Sequence, residues 1–227
     1  MRFAPLFEDR RDAGRQLAGA LAGYRDSRPV VLALPRGGVP LGFEVAQALG
    51  APLDVLLVRK IGAPGHEELG LGAVVEGRPP QLVLNEDVIG AVGPPPGYID
   101  AEKARQLVEI ERRRRQYVGD RPPPAVAGRT VIVVDDGIAT GGTVRAALRG
   151  VSLHRPARLV LAAPVAPRDT LDELASECDD IVCLATPEPF FAVGAHYRDF
   201  TQTEDAEVIR LLEEARRWSA APENPAR

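Results

Sequence analysis

Lysine is almost missing from this 227-residue chain: of 28 basic residues only Lys60 and Lys103 are lysine, and the rest are arginine. With 21 prolines beside it, that skew points to coding bias, so an arginine count carries little meaning and a retained lysine carries more. Cysteine is scarce too. Cys178 and Cys183 are the only two, too few for a disulfide-built scaffold, and they sit in or beside an apolar run that reads as buried thiols in a reducing compartment. The three histidines, His66, His154 and His196, are scattered, without the spacing of the roughly four ligands that a zinc site needs. No apolar run approaches the roughly 20 residues that span a bilayer. The N-terminal stretch MRFAPLFEDRRDAGRQ breaks its apolar positions with charge, unlike a secretory leader. A soluble, cytoplasmic protein is expected. A net charge of −4 speaks against overall electrostatic attraction to nucleic acid.

What is present is enough apolar material, 45% of residues, for a full buried core. Short apolar runs at 29–34, 53–58, 130–134, 158–163 and 180–184 read as strands. Continuous rather than alternating apolar runs indicate a sheet covered on both faces. Helical patterns near 40–49, 143–152 and 168–177 fall between them, and a further one lies near 203–218. Strands alternating with helices predict a doubly wound parallel α/β sheet with right-handed crossovers. The segment from 60 to 129 is too long for one crossover. It contains a Gly- and Glu-rich stretch at 61–71, two short strands near 72–76 and 81–85 that close a hairpin around GRPP, and a charged helix near 98–118 bracketed by proline clusters. The expected organisation is a single domain over 1–218, with its core at 29–185, a projecting lid and hairpin at 60–97, a small hood at 187–200 and a frayed tail at 219–227. Arg112 to Arg115 form a run of four, but acids lie nearby and no aromatic cluster accompanies it, so the run reads as a solvated helix face.

The chemistry is concentrated in residues 131–143, VIVVDDGIATGGT. An apolar strand leads directly into Asp135 and Asp136, then into a Gly- and Thr-rich loop that opens a helix. Adjacent carboxylates at the end of a buried strand are costly unless something binds them, and the carboxyl end of a parallel strand is where ligands bind. The TGGT loop can aim successive N–H groups into one concavity at a helix start, a site suited to a phosphate dianion. Acids for hydroxyls or a metal, beside amides for phosphate, describe a sugar-phosphate site. The chain has no Gly-Lys pair for a Walker loop, and PRGGVPLG does not supply a dinucleotide fingerprint.

This stretch closely resembles the binding signature of the type I phosphoribosyltransferase family. LPRGGVPLG, after the first strand, resembles the family's pyrophosphate loop, and Arg59-Lys60 is similar to the Arg-Lys pair that some members direct at the pyrophosphate. The three elements occur in the family's order, over roughly 29–165, and RKIGAPGHEELGLGAV with FAVGAHYRDFTQ resembles an uncharacterised bacterial branch. The resemblance implies transfer of a phosphoribosyl group from 5-phosphoribosyl 1-pyrophosphate to a nucleobase or similar acceptor, with Mg²⁺ as cofactor and a homodimer as the assembly. It implies that Asp135 and Asp136 hold the ribose hydroxyls, directly or through Mg²⁺ and its waters. The loop of Ala139, Thr140, Gly141, Gly142 and Thr143 would cradle the 5-phosphate. Arg36, Gly37 and Gly38 would bind pyrophosphate through a strained or cis peptide, and Arg59 and Lys60 would neutralise it as it leaves. The same reading leaves open a non-catalytic module that binds the sugar phosphate as a regulator.

The oxocarbenium-like transition state of such a transfer must be kept from water, so a mobile lid is expected at about 61–71, where His66, Glu67 or Glu68 could accept a proton. Glu67 is the candidate base. Ala139 stands where 6-oxopurine members of the family commonly carry an acid, which disfavours hypoxanthine and guanine. The stretch 187–200 holds Phe190, Phe191, His196, Tyr197 and Phe200 in a chain that is only 5% aromatic. Phe190, Phe191 and Tyr197 are the candidates for stacking on an aromatic acceptor. Packing of these rings beneath the C-terminal helix is the competing reading.

Overall fold

The computed structural model describes residues 5–219; apart from Ser219, the tail expected at 219–227 lies outside them. Five short apolar segments build the central sheet: β1 (Val30–Ala33), β2 (Leu53–Val55), β6 (Thr130–Val134), β7 (Arg158–Val165) and β8 (Asp180–Ala185). All neighbours are parallel, in the order β2-β1-β6-β7-β8. Side chains alternate across a strand, and here both sets are apolar. Val31, Ala33, Ile132 and Val134 join one core cluster, while Val30, Leu32, Val131 and Val133 join a second on the other face. Helices α1 (Arg10–Ala20), α2 (Gly38–Leu49) and α7 (Asp205–Ser219) bury their apolar faces in the first cluster, and α5 (Gly142–Ser152) fills the second. This double coverage is why the strands read as unbroken apolar runs.

The N-terminal helix α1 is an addition to the expected elements. Its sequence mixes charge with alanine and glycine, yet Asp9 caps it by accepting from the Asp12 N–H at 2.7 Å, and Ala13, Leu17 and Ala18 line one buried face.

The apolar run at 53–58 divides between two sheets. β2 stops at Val55, and the chain turns through Leu56 and Leu57, both buried, into β3 (Val58–Ala63). β3, β4 (His66–Val75) and β5 (Gln81–Leu84) form a separate antiparallel sheet in the order β3-β4-β5. The turn is anchored by backbone bonds, Leu56 N–H to the Ala33 carbonyl at 2.9 Å and Glu76 N–H to the Leu57 carbonyl at 2.8 Å. Both sides of the bend are buried, so hydrophobicity gives no sign of it. The hairpin expected around GRPP is present, with Gly72 opposite Leu84 and Val75 opposite Gln81. The 61–71 stretch, expected as a loop, is instead paired backbone: Ile61 lies opposite Gly72 and Ala63 opposite His66. Buried Ile61 and Leu71 hold it down.

After α3 (Glu86–Val92), α4 runs from Tyr98 to Val118, between its proline clusters. Its inward side carries Gln106, Ile110, Arg114 and Tyr117. Here the solvated-face reading of the arginine run needs correction. Arg112, Arg113 and Arg115 pair with Glu109 or Glu111 on their own helix, but Arg114 points inward. It meets Asp54 at 2.8 Å and Glu76 at 2.7 Å, with all three side chains less than 10% exposed. One guanidinium therefore ties α4 to the edge of the central sheet and to the end of β4. α6 (Arg168–Leu174) links β7 to β8.

Candidate functional site

β6 is fully buried until Val134, and the chain then emerges at its carboxyl end as Asp135 and Asp136. The two acids turn differently. The Asp135 carboxylate accepts the Asp136 N–H at 2.9 Å, and no cation among the described residues lies within ion-pair distance of it. Burial, then the charge of Asp136, push its pKa well above the ordinary aspartate value. Asp136 is raised as well, again chiefly by burial, with Arg10 opposing the shift. Arg10 Nε meets Asp136 Oδ2 at 2.7 Å, and Tyr197 Oη donates to the Asp136 carbonyl at 2.5 Å.

Ile138 is buried, and Ala139 and Thr140 are exposed. Gly141 then enters α5 at φ +73°, where an added Cβ would also meet Thr170 Cγ2 at 2.9 Å, so only glycine suits both the backbone and the space. No side chain caps α5, which leaves the N–H groups of its first turn, at Gly142 and Thr143, free to meet an anion.

The loop after β1 packs directly on the acids. Leu34 N–H bonds the Val134 carbonyl at 2.9 Å, the Pro35–Arg36 peptide is cis, and a Cβ on Gly37 would fall 2.0 Å from Asp136 Oδ2. Gly37 is thus required for the two loops to touch. Gly38 is similarly tight against the Val134 carbonyl, at 2.7 Å. Arg36 leans away toward Asp205 at the start of α7, 3.7 Å distant. Asp205 is held by Tyr117 Oη at 2.7 Å and Gln116 Nε2 at 3.0 Å, and these bonds hold its pKa below the usual aspartate range.

Arg59 and Lys60 both line a cleft beneath α4, but they project differently from the strand they share. Neighbours on a strand face opposite ways, so Arg59, opposite Val74, turns to α4 and donates to Gln106 Oε1 at 3.0 Å. Lys60, opposite Ala73, is exposed and lines a cleft of about 660 Å³ with Thr140, Gly142, Arg145 and Arg149. Lys60, not Arg59, therefore shares a cleft with the TGGT loop. Glu67 is carried by β4, next to the 63–66 turn, and its side chain lies outside the described residues.

The three hood candidates separate as well. Phe191 is 76% exposed. Phe190 lies against the His196 ring, centroids 5.2 Å apart. Tyr197 is only 5% exposed, packed between Phe7 and Phe200. Tyr197 is thus corrected from a stacking surface to a core residue that braces the acid loop. Among the described residues no group of three or more His, Cys, Asp or Glu side chains could hold a metal on its own, and no helix is long and apolar enough to cross a membrane. The principal site residue absent from the sequence expectations is Arg10. Its signal was the Asp9 cap ahead of the Ala13, Leu17, Ala18 spacing, which marks a helix start but not a target for Arg10.

The phosphoribosyl transferase domain, as a family model, matches residues 8–199. Mycobacterium tuberculosis proteins from strains CDC 1551 / Oshkosh and H37Rv, provisionally named as phosphoribosyl transferases, are 48% identical over 212 residues, which is 93% of this chain. The chain spans about half of their length, 47%. The crystal structure of TT1426 from Thermus thermophilus is similar with a TM-score of 0.80 and 45% identity, covering 92% of this chain and 98% of that one. With strand order, acid pair and glycine loops in place, the chain belongs to the phosphoribosyl transferase family.

Proposed function

We propose that this protein transfers the phosphoribosyl group of 5-phosphoribosyl 1-pyrophosphate to a small, aromatic acceptor and releases pyrophosphate. The observation that carries this reading is the packing of the Gly37 loop onto Asp136, which brings the backbone of a glycine pair against the acids, at the same carboxyl end of the sheet as the uncapped start of α5. Each part has one task. The N–H groups from Thr140 to Thr143 hold the 5-phosphate, Asp135 accepts the ribose hydroxyls, and the Arg36–Gly38 backbone meets the diphosphate. Lys60 adds positive charge across the cleft as the leaving group departs.

Magnesium fits only as an ion that arrives on the diphosphate. The described residues offer no cage of their own, and Asp136 is already paired with Arg10. Mg²⁺ commonly binds through one or two carboxylates plus substrate phosphates; Asp135 would be its contact here, and the ion would supply charge neutralisation on the diphosphate. The paired β3–β4 hairpin, whose tip is Pro64-Gly65, would limit water at the reacting carbon.

The test is pyrophosphate release from 5-phosphoribosyl 1-pyrophosphate and Mg²⁺ with a panel of nucleobases. Release with one or more acceptors, lost in Asp135→Asn, is the expected result. Silence across the whole panel, together with no binding of the sugar diphosphate, would overturn the assignment.

A further inference from the structure

Asp136 is tied down at three points. Its Oδ2 is taken by Arg10 Nε at 2.7 Å, its carbonyl by Tyr197 and its N–H by Asp135. The carboxylate lies against Gly37 so closely that a Cβ there would be 2.0 Å from Oδ2 and 3.0 Å from Oδ1. Arg10 is equally committed. It donates to the Thr201 carbonyl at 2.6 Å, its guanidinium carbon sits 3.9 Å from the centre of the Phe200 ring, and its side chain is only 11% exposed. A buried ion pair this well satisfied is rigid, and removing one member strands the other.

From this we infer that Arg10 is a positioning residue for the site. Acting through Asp136, it fixes the acid loop, the Gly37 loop and the 197–201 segment relative to one another, and so sets where both acids stand at the end of β6. The two acids, identical in the sequence pattern, then differ in one respect: Asp136 is pinned by a cation and Asp135 is not. α1 becomes part of the site although none of its residues need touch substrate. The inference rests on the proposed use of 5-phosphoribosyl 1-pyrophosphate for its binding readout, and it has a second readout that does not.

Affinity for 5-phosphoribosyl 1-pyrophosphate with Mg²⁺ is measured by calorimetry in Arg10→Gln, Asp136→Asn, Asp135→Asn and the two double variants that contain Arg10→Gln. Arg10→Gln and Asp136→Asn should each weaken binding by a similar factor, roughly tenfold, within the scale of losses from small misplacements. Their combination should be no worse than either alone, whereas Arg10→Gln with Asp135→Asn should multiply. In the ligand-free protein, the Gly37 and Gly38 amide resonances should move alike in Arg10→Gln and Asp136→Asn. Arg10→Lys, which keeps the charge, should recover part of the lost affinity and serves in place of Arg10→Gln if that variant does not fold. Multiplying effects of Arg10→Gln and Asp136→Asn, or unmoved Gly37 and Gly38 resonances, would overturn the inference. Absence of binding by the unaltered protein would instead sink the proposed function, and the resonances alone would then decide the role of Arg10.

Discussion

The two buried acid clusters differ in how far their arginine reaches. Arg114 contacts both Asp54 and Glu76, and the cluster is closed: two carboxylates around one buried guanidinium, with Arg121 at its rim 3.9 Å from Asp54. Of the two site acids Arg10 pairs only with Asp136, and Asp135 has no cation within ion-pair distance among the described residues, at the carboxyl end of a parallel strand. The first cluster joins the two sheets to α4. The second joins three segments and leaves one acid without an ion pair among the described residues. A buried acid with no internal cation is a cost to the fold, and such costs are retained where a ligand offsets them. Whether each acid has a cation within reach, not the number of charges, separates the architectural cluster from the candidate binding one.

Cutting the closed cluster should have the largest effect. Arg114→Ala leaves Asp54 and Glu76 buried together, and should destabilise the fold by about 3–5 kcal/mol in denaturant unfolding, while the folded fraction keeps its affinity for 5-phosphoribosyl 1-pyrophosphate. Asp135→Asn should do the reverse. It should weaken that affinity by about 1.5–3 kcal/mol, the scale of hydrogen bonds to a charged group, and leave the unfolding midpoint unchanged or raised, since a buried charge is removed. A variant of Arg114 that lost affinity without losing stability would erase the distinction between the clusters.

Smaller effects sharpen it. Lys60→Ala should weaken binding of the sugar diphosphate in a salt-sensitive way, whereas Arg59→Ala should change affinity little, because Arg59 faces α4 and Gln106. Equal losses from the two would mean that the strand does not part them in solution. Glu76 provides a pH signature for the closed cluster. Burial lifts its pKa from 4.5 to about 7, with Arg114 opposing. Because the folded value lies above the unfolded one, this contribution to stability is complete below about pH 4.5 and is lost as pH rises through about 7. Glu76→Gln should therefore flatten the fall in stability between about pH 5 and 8, as followed by chemical denaturation. An unchanged slope would place the titration elsewhere.

Much of the fold was open to reading because its strands are short, apolar and separated by glycine turns. The 131–143 stretch carries strand, acids, glycine loop and helix start within thirteen residues, so their local arrangement needed no tertiary information. What could not be read was long-range. Nothing in the run 53–58 marks the bend between two sheets, because both sides of it are buried. The 61–71 stretch is rich in glycine, yet its two ends pair with each other across the Pro64-Gly65 turn as the tips of β3 and β4. Arg114 looks like its three neighbours in sequence, and only the helix's rotation brings it alone to face Asp54, sixty positions away. Arg10 meets Asp136 across 126 positions, a distance over which no pattern of spacing operates. Tyr197 is a candidate for stacking or for packing on the sequence alone, since the rarity of aromatics does not say which side of a ring is covered; its burial decides for packing.

The central claim is that Asp135 is the acid left open for a sugar diphosphate. Calorimetric titration of the unaltered protein and of Asp135→Asn with 5-phosphoribosyl 1-pyrophosphate and Mg²⁺ tests it most directly. Saturable binding by the former and a loss of at least roughly tenfold in the latter, at unchanged folding, is the predicted result. Equal affinity in both proteins would contradict it.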